Sequence, residues 1–119
     1  MESKFTITRW DDADRAGSEF GHVLVDKTYT GPMEGTSTAE LTTCQPAEGS
    51  AGYVAVEKFE GLLEGRAGTF VFQHAGIVSP AGQQNYGAVV PGSGTGELAG
   101  LTGEVRMEHE LITLDYRLG

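Results

Sequence analysis

Apolar and polar side chains alternate along most of this chain with a period of two. No segment holds an apolar stripe at the 3.6-residue spacing of a helix over three turns. In Lys4–Trp10, Phe5 and Ile7 alternate with Thr6 and Thr8. In Gly21–Tyr29, Val23, Val25, Lys27 and Tyr29 share one face, and His22, Leu24, Asp26 and Thr28 share the other. A third strand is predicted over Thr36–Cys44 and a fourth over Tyr53–Phe59, where Tyr53, Ala55, Glu57 and Phe59 lie on one side. The fifth opens at the turn around Gly65 and runs to Gly76, with Phe70, Phe72 and His74 on one face and Val71 and Gln73 on the other. Tyr86–Val90, Gly103–Glu108 and Leu111–Leu118 supply the remaining strands. The connections are glycine-, proline- or charge-rich: Asp11–Ser18, with room for one helical turn, Thr30–Gly35, Gln45–Gly52, Ser79–Gly82 and Pro91–Gly96. Glu97–Leu101 fits a helical turn or a short strand.

Eight strands joined by hairpin-length links favour an all-β antiparallel barrel or sandwich. The barrel is preferred because closure removes exposed edges, and only 4 prolines are present to protect them. At 119 residues the chain reads as one domain, spanning 1–119. The single cysteine, Cys44, excludes an internal disulfide and fits a reducing compartment. The first residues lack the pattern of a signal peptide, and no apolar run has the length of a membrane span, so a cytoplasmic protein is expected. A net charge of -9 argues against nucleic-acid and membrane partners and otherwise speaks to solubility.

Three chemistries find little support. Gly92–Gly96 is not followed by Gly-Lys-Ser/Thr and opens no βαβ unit, so it is read as an inter-strand or rim loop and not as a phosphate cradle. His22, His74 and His109 sit on three separate segments without ligand spacing, so no metal site is expected. Cys44 has no neighbouring base and reads as a small hydrophobe at a strand end.

Several motifs taken together are more specific. Tyr29–Ser37, Gly61–Gly76, Val89–Glu104 and Leu114–Leu118 resemble, in order, a bacterial family of unknown function whose members of known structure are similar to the allene oxide cyclase barrel. The resemblance implies a small eight-stranded antiparallel up-and-down barrel, often self-associating. Similar barrels enclose a reactive, largely apolar molecule and act by positioning it and excluding water. The family passes no catalytic residue to this chain.

Polar residues within the alternating strands are the candidates. Glu57, beside Tyr53 and Phe59, becomes a carboxyl in an apolar cavity if its face is inward; desolvation then raises its pKa into the range of acid–base catalysis. Gln73 and His74 cannot both point inward, and the aromatic face carrying His74 is assigned to the interior. Glu40, between Thr38 and Thr42, is a lesser candidate, and Arg66 is read as a rim residue. The expectation is a cofactor-free isomerase or cyclase for an apolar, polyketide- or lipid-like substrate. Glu57 and His74 would be catalytic, with Tyr53, Phe59, Phe70, Phe72, Glu40 and Gln73 around the substrate. The alternatives are a non-catalytic carrier barrel and a filled barrel serving self-association. A cavity of about 300 Å³ or more, lined by aromatics and a buried carboxyl, separates the first two from the last.

Overall fold

A computed structural model describes residues 1–13 and 19–119. Eight antiparallel strands form one sheet that closes in a ring, each strand beside its neighbours in sequence and β8 (Leu111–Leu118) returning to β1 (Glu2–Asp12). Between these lie β2 (Gly21–Thr30), β3 (Met33–Ala47), β4 (Ser50–Leu63), β5 (Arg66–Ser79), β6 (Gly82–Val89) and β7 (Leu101–Glu108). The strands are longer and the turns tighter than the pattern predicts. Residues 30–35 and 45–52, expected as loops, are mostly ladder, leaving Gly31–Pro32 and Glu48–Gly49 as turns. The helical turn allowed for Asp11–Ser18 lies largely outside the described residues, since β1 runs to Asp12. Glu97–Leu101 resolves into a 3-10 turn, Gly96–Leu98, followed by the start of β7. No helix among the described residues is long and apolar enough to cross a membrane.

The ladders are unequal. Long pairings join β2 through β5, whereas β1 meets β8 over three residue pairs and β6 meets β7 at Ala88 and Glu104 alone. The interior is also divided. At one end Phe5, Tyr29, Met33, Phe59, Leu63, Phe70, Phe72, Leu98 and Leu101 pack into a core. Leu98, fully buried, is held there by the glycine-rich loop. That loop runs back along β5, where Thr95 N–H bonds the Thr69 carbonyl at 2.9 Å and Ser93 Oγ accepts the Val71 N–H at 3.0 Å. Glycines permit this close packing: a Cβ at Gly68 of β5 would lie 2.1 Å from the Thr95 carbonyl oxygen, and one at Gly94 of the loop 1.9 Å from the Leu98 carbonyl oxygen. At the other end the ring is open.

Inward side chains of β4 and β5 pair in layers: Phe59 with Phe70, Glu57 with Phe72, Ala55 with His74, and Tyr53 with Gly76. Phe59 and Phe70 belong to the packed end and Tyr53 to the open end, so Glu57 and His74 fall at the boundary between the two.

Candidate functional site

Glu57 is 0% exposed, and its carboxylate accepts four hydrogen bonds. Lys27 Nζ and His74 Nε2 reach Oε1, each at 2.8 Å. Tyr29 Oη and Ser37 Oγ reach Oε2 at 2.5 and 2.6 Å. Burial pushes the Glu57 pKa up, but the His74 hydrogen bond and the Lys27 charge outweigh burial and lower it from the ordinary 4.5 to about 2. The carboxylate therefore stays ionised. The expectation that desolvation makes Glu57 an acid or base near neutrality is corrected: its lone pairs are saturated, and it borders neither interior chamber.

Because a carboxylate only accepts, the proton shared with His74 resides on Nε2. When the ring is neutral, that leaves Nδ1 to accept from the Tyr53 hydroxyl, 2.9 Å away. The order from the packed end outward is Glu57, His74, Tyr53. Burial first, and then the Glu57 charge, raise the pKa of Tyr53, so this phenol is held as a donor. Tyr29 is raised for the same two reasons. The Lys27 ammonium also stands 4.6 Å from the centre of the Phe5 ring. Among the described residues no buried side-chain nitrogen or oxygen lacks a partner.

Two contiguous chambers fill the open end. The inner, about 660 Å³, is bordered by Phe5, Lys27, Leu41, Tyr53, His74 and Met107. The outer, about 520 Å³, shares Tyr53 and Leu41 and extends past Thr43, Cys44 and Gly76. Both fall within the ordinary size range of small-molecule sites.

Apart from Glu57, the expected site residues separate into three groups. His74 borders the inner chamber on the inward face assigned to it, and Tyr53, whose face the sequence left open, borders it too. Phe59, Phe70 and Phe72 are inward but fully buried, and none borders either chamber. They pack the closed end as rings 5.4–5.6 Å apart, Phe72 stacking under His74. Glu40 and Gln73 point outward and are exposed, as period-two geometry requires once His74 is inward. They border a hollow of about 1450 Å³ whose lining is mainly outward-facing residues such as Val54, Val56 and Glu104. Arg66 is exposed at the start of β5. Cys44 is half-buried, three residues short of the β3 terminus. Among the described residues no group of three His, Cys, Asp or Glu side chains could hold a metal ion.

The residues missed by sequence reasoning are Lys27, Tyr29 and Ser37. A signal for the first two was present: a lysine on one face with Val23, Val25 and Tyr29 is a cation on a core face, which requires a buried anion. Nothing in the Thr-rich pattern of β3 distinguishes Ser37.

Two glycines make room for the pair. A Cβ at Gly87 would lie 2.5 Å from the Gln73 carbonyl oxygen and 3.0 Å from the His74 Cβ. One at Gly76 would lie 2.8 Å from Tyr53 Cε1 and 2.9 Å from Asn85 Oδ1. Gly76→Ala is therefore expected to displace the Tyr53 ring from His74 and to cost about 1–3 kcal/mol as overpacking. Denaturant unfolding checks the cost, and unchanged stability would show that the ring relaxes freely.

A family model described as "Protein of unknown function (DUF3224)" matches residues 1–118. The chain belongs to the DUF3224 family. Among solved structures it is similar to the crystal structure of a DUF3224 protein of unknown function from Shewanella oneidensis MR-1. The two share 32% identity and a TM-score of 0.86, over 100% of this chain and 96% of that one. The search of curated proteins finds no match.

Proposed function

We propose that this DUF3224 member binds a small, largely apolar molecule in the open end of a barrel and moves a proton on it, as a cofactor-independent isomerase or cyclase. The observation that carries this reading is the chain Glu57–His74–Tyr53 ending in a chamber of about 660 Å³.

Glu57 acts as a positioning residue. Its carboxylate fixes the proton on His74 Nε2 and so presents Nδ1, the basic nitrogen, toward Tyr53 and the chamber. A carbonyl ligand that accepts the Tyr53 proton in place of His74 frees Nδ1. His74 then takes a proton from the carbon next to the carbonyl. The C–H electron pair becomes a C=C bond, and the negative charge developing on oxygen is stabilised by Tyr53. In a β,γ-unsaturated carbonyl ligand the C=C electron pair takes the proton back from His74 at the γ-carbon as the oxyanion reforms C=O, giving the conjugated isomer with no net redox change. The packed aromatic end below His74 excludes water from that side.

The test is α-proton exchange of 2-tetralone in D₂O, followed by proton NMR. The expected result is saturable acceleration over buffer by the wild-type protein, falling about 10²-fold or more in His74→Ala and Tyr53→Phe variants. Circular dichroism confirms that both variants fold. Exchange no faster than buffer, or unchanged in both variants, would overturn the reading.

A further inference from the structure

The alternation in β1 places Trp10 on the outward face with Thr6 and Thr8. The structure places it on the other. A register shift between Ile7 and Arg9 changes the parity of the strand: Ile7 pairs with inward Lys27, Arg9 with outward Asp26, and Trp10 with inward Val25. Bulges of this kind re-aim side chains and are enriched beside functional sites. The outward turn of Arg9 is held by ion pairs to Asp11 at 3.0 Å and Asp26 at 3.6 Å. Trp10 consequently borders both interior chambers, while 54% of its surface remains exposed. A large aromatic residue half open to water inside a hollow is an unused contact surface.

The same chambers have a second shared wall. Gln83 and Asn85 of β6 lie opposite Val78 and Gly76 in the ladder, on the inward parity, and border both chambers. Both are exposed, and neither side chain makes a hydrogen bond among the described residues. Their amides are neutral and can donate as well as accept. The side chains bordering the inner chamber carry no formal excess of charge. Lys27 is paired with Glu57, and Arg106 and Glu108 contribute one charge of each sign. The overall charge of -9 disfavours an anionic ligand.

We infer that Trp10, Gln83 and Asn85 form the ligand-recognition wall of the chamber, and that the ligand is a flat, neutral, oxygen-bearing ring molecule stacked on Trp10, not a fatty acid. This rests on the chamber being a small-molecule site, and it narrows the ligand class for that site. Trp10 supplies an aromatic face, the amides bond ring oxygens, and Tyr53 and His74 meet the end of the ligand that is carried inward.

Trp10 is the only tryptophan, so its fluorescence reports the site directly. Chromone is titrated as the flat neutral probe and decanoate as the chain-like anionic one. His74 ring resonances are followed by NMR in the same samples. The expected result is saturable quenching of Trp10 by chromone with a shift of His74, and decanoate binding at least tenfold more weakly. Gln83→Leu/Asn85→Leu is expected to weaken chromone about tenfold, the equivalent of one to two neutral hydrogen bonds. Trp10→Ala is expected to do the same by calorimetry. Decanoate binding more tightly, with His74 shifting, would overturn the ligand class and leave the chamber as a binding site. Neither probe moving Trp10 or His74 would overturn both. Chromone bound at equal affinity in the double and Trp10 variants would place it elsewhere and overturn the recognition wall.

Discussion

Glu57→Leu is expected to destabilise the protein by about 3–5 kcal/mol, because it strands a buried charge. Lys27 is 6% exposed and has no anionic partner but Glu57 among the described residues. Tyr29, Ser37 and His74 lose their acceptor at the same time. At roughly 4 °C per kcal/mol for a domain of this size, the melting temperature should fall by about 12–20 °C. The loss should be mostly a penalty on Lys27 and only partly the loss of favourable pairing. Lys27→Met/Glu57→Leu is therefore expected to recover at least half of it, since an apolar pair of similar volume often replaces a buried ion pair without loss. Calorimetric melting of the three proteins checks this. A double variant as unstable as the single one would mean that the other three donors, not the buried charge, carry the effect.

The second large effect is on acid stability. The folded pKa of Glu57 lies at about 2, below the ordinary 4.5. Above pH 4.5 the carboxylate is ionised in both states and its full contribution is present. Between pH 4.5 and 2 only the unfolded chain takes up the proton, so stability falls as the pH falls. Below pH 2 the contribution is gone. The stability difference between wild type and the Lys27→Met/Glu57→Leu protein should therefore change in favour of the variant across pH 4.5 to 2. Denaturant melts at each pH measure it, and the other carboxylates cancel in the difference. A difference that does not move across that window would mean Glu57 is not held ionised.

Much of this fold was legible because period-two alternation is a local property. It located all eight strands and assigned Phe70, Phe72 and His74 to the interior. What alternation cannot report is depth along the ring. Tyr53 and Phe59 share a face of β4 six residues apart, yet one meets a chamber and the other a packed core. The difference is made by Leu98 and the loop that carries it, which close only one end. For the same reason the aromatic residues read as cavity walls became its foundation. The face of Glu57 was left open, and its chemistry depended on Lys27, 30 residues away in sequence, whose place on the apolar face of β2 was the one sign of a buried anion. Trp10 was illegible because a one-residue bulge inverts every later side chain, and no composition signal marks it. Gln73 and Glu40 show the converse: the parity that placed His74 inside excluded Gln73.

The most direct measurement for the Glu57–His74–Tyr53 chain is the tautomer of His74, read from long-range nitrogen–proton NMR correlations in the ¹⁵N-labelled protein. The expected result is a neutral ring protonated on Nε2, with an Nδ1 resonance that moves in Tyr53→Phe while the Nε2 proton stays in place. A ring protonated on Nδ1, or one averaging between tautomers as free imidazole does, would contradict it, because Glu57 would then not be presenting a base to the chamber.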